Sequence, residues 1–268
     1  ILAAGLGSRL GAQEGLPKPL AKVGGVSLAE RVLLLFFAGL GIKRFVIPVG
    51  NSADTVIEHF TGIGRHYGLT IDCVHATDWH LGNCASALSL KDHVGPGPFF
   101  LSMTDHLLDP EIIKTLAENG PGPGEMCLAV DYDKDGIFDL DDVTRVRIKG
   151  DRIEAINKNL DLWDAADTGV MLCTSGLFEG LEKAAEKGLH GLSDGLREMT
   201  GQAKARTVDV SGKFWLDVDT PDALREAESR LQAMEQEPTL ANALSPEKVK
   251  GFPSDSGQGE RSLTEEGP

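Results

Sequence analysis

Apolar positions in the first two-thirds of the chain follow two alternating rhythms. Short β-branched runs alternate with longer stretches spaced for one face of a helix. Ile1–Ala3 reads as the end of a buried strand, followed at once by a glycine loop. Ser27-Leu-Ala-Glu30 has the capping-box arrangement and opens an apolar helix that ends near Gly39–Gly41. Arg44–Val49 reads as a strand, Ala53–Tyr67 as a helix weakened by Gly62 and Gly64, Thr70–His75 as a strand and Asn83–His93 as a helix. Phe99–Met103 is a strand running directly into Thr104-Asp105-His106, and Asp109-Pro110 supplies the cap and first residue of the next helix. Such alternation implies crossover units and a largely parallel sheet.

The rhythm then changes. Met126–Asp131 reads as a strand, and Arg145–Lys149 with Arg152–Asn157 as a hairpin turning at Gly150-Asp151. Thr168–Cys173 is a further strand, followed by helices at Gly176–Lys187 and Leu192–Thr200. Arg206–Val210 and Phe214–Val218 complete the strands, and Thr220-Pro221 caps a last helix to about Gln236. The expectation is an α/β fold, a mixed sheet carrying an antiparallel insertion that forms a substrate-binding half. Ser245–Pro268 is rich in Ser, Gly, Glu, Pro and Lys and almost lacks large apolar residues. It cannot bury enough surface to offset chain entropy. Residues 1–236 are therefore expected to form the folded domain, and 237–268 a disordered tail.

Composition narrows the function. Of 268 residues, 41% are hydrophobic, which is enough for a substantial core. The formal net charge of −15 argues against nucleic-acid binding, which needs basic surface to neutralise phosphates. An acidic protein that handles anions must gather its Lys and Arg in one place. Cys73, Cys84, Cys127 and Cys173 form no C-x-x-C pair and read as buried free thiols. There is no signal peptide and no apolar run of the ~18–20 residues that a membrane span needs, so a cytoplasmic location is expected. The chain opens in mid-strand without an initiator Met, which leads us to expect residues before Ile1.

Two groups of residues carry chemistry. The first is Leu2-Ala3-Ala4-Gly5-Leu6-Gly7-Ser8-Arg9, followed by Pro17-Lys18-Pro19. Glycines after a strand let backbone N–H groups approach a polyphosphate. Arg9 adds a planar donor for phosphate oxygens, and the flanking prolines aim the Lys18 ammonium. The spacing is neither that of a Walker loop nor that of a dinucleotide fingerprint. The second group is acidic. Asp105 follows a strand, where open α/β sheets place their ligands. Asp217 and Asp219 alternate along an extended segment and so point to one face. Carboxylates from two distant segments suit Mg²⁺. Asp219 also has the position of a helix cap.

LAAGLGSRLG with PKPL resembles the signature of the sugar-nucleotidyltransferase superfamily, over about residues 1–236. Members move a nucleotidyl group to a phosphate and release pyrophosphate. MTDHL (Met103–Leu107), NKNL (Asn157–Leu160), DTGVMLC (Asp167–Cys173) and FWLDVDT (Phe214–Thr220) are similar to the inositol-1-phosphate cytidylyltransferases. The resemblance implies a three-layer α/β/α Rossmann-like fold of the nucleotide-diphospho-sugar transferase type. It implies Mg²⁺ as cofactor, with CTP and a small phosphorylated alcohol as partners. Arg9 and Lys18 would hold the triphosphate. Asp105 and Asp219 would be metal ligands, with Asp217 assisting. Gly82 and Asn83 would lie near the base and ribose. Lys158 would hold the acceptor phosphate, and Asp167 and Gly169 would lie at the acceptor. A homodimer is compatible with this reading.

Other readings stay open on the residues alone. Lys158 has the setting of a surface lysine, Asn83 that of a helix-start residue and Asp167 that of a turn cap. The acceptor could equally be a sugar-1-phosphate, phosphocholine or a phosphonate, or the chain a non-catalytic nucleotide-binding regulatory subunit. Asp131-Tyr-Asp133-Lys-Asp135-Gly136 through Asp142 resembles a calcium-binding EF-hand loop, though its last residue is Asp rather than Glu and its flanks read as strands. His106 follows Asp105 and reads as structural or as a neighbour of the metal.

Overall fold

A computed structural model describes residues 1–7, 10 and 16–236. After a 3-10 turn at Lys18–Leu20, a tight hairpin of β1 (Lys22–Val23) and β2 (Val26–Ser27) leads into α1 (Leu28–Leu40). β3 (Arg44–Val49), α2 (Ala53–Tyr67) and β4 (Thr70–His75) form a crossover unit with β3 and β4 parallel. Then come α3 (Asn83–Leu88), β5 (Phe99–Ser102), β6 (His106–Leu108) and α4 (Pro110–Glu118). The second half holds β7 (Met126–Asp131), β8 (Arg145–Lys149), β9 (Arg152–Asn157) and β10 (Ala165–Cys173). It continues with α5 (Gly176–Glu186), α6 (Leu192–Thr200), β11 (Ala205–Asp209), β12 (Trp215–Asp217) and α7 (Pro221–Gln236). The tail expected from residue 237 lies outside the described residues.

The central strands run in the order β5-β10-β7-β11-β9-β8. Ile1–Ala3 joins this sheet to β3: Leu2 bridges Met103 in parallel, and the Ile1 amino group donates to the Val46 carbonyl at 2.9 Å. The sheet is less parallel than the strand–helix rhythm implied. β10 lies antiparallel between β5 and β7, while β7 and β11 are parallel. The link from β7 to β10 holds a 3-10 turn at Lys134–Gly136 and the β8–β9 hairpin but no crossover helix, and β10 returns in the opposite sense.

Alternation along the central strands fills two layers. Cys127 and Ala129 of β7, with Val170 and Leu172 of β10, pack under α1, α2 and α4. Met126, Leu128 and Val130, with Met171 and Cys173, pack under α3, α5 and α6. Helices on both faces make the three-layer α/β/α architecture. A third, smaller core joins Leu107 of β6 and Leu216 of β12 to Val23 and to Ala227 of α7. The four cysteines are free; Cys84, Cys127 and Cys173 are buried and Cys73 is half-buried. Among the described residues no helix is long and apolar enough to cross a membrane.

Two local outcomes differ from the sequence pattern. The helix from Asn83 stops at Leu88 rather than His93. There the Ser89 hydroxyl donates to the Ser86 carbonyl at 2.7 Å, and Leu90 N–H bonds Ala87 rather than the residue four back. Glu30 does not close the expected capping box, because its carboxylate accepts from the Tyr67 hydroxyl at 2.6 Å. Ser27 does cap α1: its Oγ accepts the Glu30 N–H at 3.1 Å and also lies 2.8 Å from His59 Nε2. Ser27→Ala should lower the unfolding free energy by about 1 kcal/mol in urea titration; an unchanged midpoint and slope would show that the cap contributes nothing.

Candidate active site

The site grows from the glycine loop. Gly7 has φ +58°, and any side chain there would run into the Lys18 stem. A glycine is needed for both reasons. Lys18 occupies the 3-10 turn between Pro17 and Pro19 and is 8% exposed. Its ammonium pairs with Asp105 and Asp219 and lies 3.9 Å from Asp217 Oδ1.

A short ladder brings those carboxylates together across more than a hundred residues. β6 and β12 pair antiparallel, with His106 opposite Asp217 and Leu107 opposite Leu216. Val218 N–H then donates to the Asp105 carbonyl at 2.9 Å. Asp105 precedes β6 and Asp219 follows β12, so the pairing sets both at one end of the ladder. The apolar partners Leu107 and Leu216 are buried on its other face.

Charge dominates this corner. Burial works against ionised Asp105, but the Lys18 charge and the His106 hydrogen bond outweigh it and hold its carboxyl well below the usual range. His106 Nδ1–H donates to Asp105 Oδ1 at 2.8 Å. Burial disfavours charged His106 too, yet the neighbouring Asp217 and the bond to Asp105 raise it to about 9. Asp105, His106 and Asp217 present ligand atoms within 4.8 Å of one another. Carboxylate oxygens converging on a point already held by a cation fit a hard divalent ion.

These groups open into a cleft of about 530 Å³. One wall is Leu2, Ala3, Ala4, Gly5 and Gly7, and the floor carries Lys18, Asp105, Asp217 and Asp219. Asn83 and Ser86 of α3 line it, as do Lys158, Asp167 and Gly169. Gly82 does not line the cleft; it starts α3 where a side chain would strike the His190 carbonyl. Lys158 is half-exposed, and its Nζ donates to Asp142 Oδ1 at 2.6 Å. Asp167 Oδ1 accepts the Gly169 N–H at 2.7 Å, the turn-capping role open to it from sequence. Burial pushes the Asp167 carboxyl up, against the opposing pull of that N–H. Ser8 and Arg9 lie outside the described residues.

The stretch Asp131–Asp142 is not arranged as a calcium loop. Asp131 is buried and accepts from Trp215 Nε1 at 2.8 Å and from Asp133 N–H at 2.9 Å. Asp142 is turned to Lys158. The carboxylates are thus spent on separate partners, and among the described residues the group placed to hold a metal is the one around Asp105. What sequence reading missed is β6. Its three residues lie inside MTDHLLDP, too short for an alternation signal between Asp105 and the helix cap Asp109.

A glycine loop and an acid cluster thus meet at the strand ends of a three-layer α/β/α sheet. The chain belongs to the MobA-like NTP transferase domain family, whose model matches residues 1–264. It is 33% identical over 229 residues to the bifunctional IPC transferase and DIPP synthase of Rubrobacter xylanophilus, covering 85% of this chain and 50% of that one. It is 32% identical over 232 residues to the protein of the same name from Archaeoglobus fulgidus, covering 86% and 43%. The chain thus spans about half the length of these curated relatives. The solved inositol-1-phosphate CTP transferase from T. maritima shares the fold, with a TM-score of 0.75, 24% identity and coverage of 85% of this chain and 93% of that one.

Replacing the ammonium with an apolar chain of similar length leaves the carboxylates uncompensated. Without added metal, Lys18→Met should lose about 3 kcal/mol of stability. Mg²⁺ should then raise the melting temperature of the variant more than that of the parent, since it takes over the missing charge. Equal shifts in the two proteins would contradict a shared cation position.

Proposed function

We propose that this chain is a cytidylyltransferase that moves the cytidylyl group of CTP to an alcohol phosphate, inositol-1-phosphate, and releases pyrophosphate. The observation that carries this reading is one cleft lined by the glycine loop and two lysines. Lys18 stands beside the glycine loop and Lys158 lines the same cleft, each already paired to carboxylate. A cleft built for two anions suits two phosphate substrates. The names of the relatives, IPC transferase and inositol-1-phosphate CTP transferase, support the choice of base and acceptor.

The acceptor phosphate is already an anion, so the reaction needs positioning and charge neutralisation rather than a strong base. Backbone N–H groups of Ala3–Gly7 receive the triphosphate. Lys18 exchanges carboxylate oxygens for phosphate oxygens and stabilises the charge that develops on the departing pyrophosphate. Arg9, from the same loop, adds a second cation. Lys158 leaves Asp142 for the acceptor phosphate. Asp105 and Asp219, with Asp217 beside them, would hold Mg²⁺, which would supply charge screening at the α-phosphate. Asn83 meets the nucleoside at the opening of α3, and Asp167 accepts from acceptor hydroxyls.

Pyrophosphate release measured for four nucleoside triphosphates against inositol-1-phosphate, choline phosphate, simple phosphonates and hexose-1-phosphates tests the proposal. CTP with inositol-1-phosphate should give the highest kcat/KM; a higher value for another pair would overturn the assignment. Lys158→Ala should raise KM for the acceptor roughly 10-fold or more, the scale of a lost charged hydrogen bond, and leave KM for CTP near its parent value. An acceptor KM that does not move would remove Lys158 from the site.

A further inference from the structure

His106 has both ends of its ring engaged. Nδ1–H donates to Asp105 Oδ1 at 2.8 Å, and Asp105 turns its other oxygen to Lys18. The edge that carries Nε2 lies flat against Gly169, where an added Cβ would collide with Nε2 and Cδ2 and come within 2.9 Å of Cε1. Gly169 sits at a break in the register of β10, between Asp167 and Met171, with φ +79°. The Asp167 carboxylate holds that bulge in place through the Gly169 N–H. Across the ladder, His106 faces Asp217. The imidazole thus lines the cleft between the bulge and the acid cluster, with Nδ1 bound to a carboxylate and Nε2 on the edge beside Gly169.

We infer that His106 is a positioning residue, not a metal ligand: it fixes the Asp105 carboxylate for the cation site, and the Gly169 bulge exists to seat its ring. Gly169 then belongs to the metal side of the cleft rather than to the acceptor. The inference rests on reading Asp105 as a metal carboxylate. Bulges commonly re-aim a side chain beside an active site. Partners behind a ligand set its orientation, and losing one costs roughly 10–100-fold in metal affinity or activity.

Mn²⁺ binding to the full chain, followed by electron paramagnetic resonance without nucleotide or acceptor, decides the matter. His106→Ala should weaken binding by roughly 10–100-fold. His106→Asn, whose amide nitrogen falls near the Nδ1 position, should recover most of the loss. His106→Gln, whose amide falls near Nε2, should not; this pair keeps the test open if the alanine variant folds poorly. Gly169→Ala, strained by its positive φ in either background, should cost more metal affinity while His106 is present than in the His106→Ala background, because the two act together. No imidazole nitrogen should couple directly to bound Mn²⁺ in the parent protein. Parent-like affinity in His106→Ala, equal cost of Gly169→Ala in both backgrounds, or a directly ligating imidazole would each overturn the inference alone. A parent protein that takes up no Mn²⁺ would remove the metal reading and this inference with it.

Discussion

Carboxylates repel at close range, and Asp105, Asp217 and Asp219 share one corner because cations stand among them. His106 is one, and the other is Lys18, nearly buried and paired to carboxylates from both halves of the chain. Much of the local architecture serves this meeting. Gly7 lacks a side chain where the lysine stem passes, and prolines on both sides restrict the turn that carries it. A corner with this charge balance can exchange its ammonium for a metal ion, and the ammonium can then turn to phosphate. Holding that cluster together is what links the fold to the proposed chemistry.

The sheet topology delivers the cluster. The β6–β12 ladder sets Asp105 beside Asp217 and Asp219, and its buried Leu107 and Leu216 anchor it on the small third core. Trp215 of the same ladder reaches across to Asp131 at the end of β7, which ties the acidic corner to the central sheet. The antiparallel β10 matters for a different reason. It pairs antiparallel with β7, and its bulge at Gly169 lies against His106.

Much of this was legible in the chain, and the gaps have physical causes. α2 is long enough to show its own period, β7 reads as a short continuous apolar run, and β3 and β4 are flanked by clear breaks. Ser27 and Asp109 cap the helices their positions imply. β6 and the true end of α3 were hidden, since three residues carry no period and the Ser89–Ser86 bond is invisible in a polar pattern. Spacing suggested that Asp217 and Asp219 share a face, but nothing local indicated that Asp105 meets them; that is a property of strand pairing. The acidic stretch Asp131–Asp142 shows the same limit, because ligand spacing says nothing about the Trp215 and Lys158 partners that claim its end residues. Arg9, the other cation of the loop, lies outside the described residues.

In the proposed reaction Lys18 must yield the position it occupies. A crystal structure of the protein with Mg²⁺ and a non-hydrolysable CTP analogue decides this. The expected result is a metal ion bound by Asp105 and Asp219, with the Lys18 ammonium withdrawn from both carboxylates onto the triphosphate. Lys18 still paired to Asp105 and Asp219, with nucleotide and metal bound elsewhere, would contradict it.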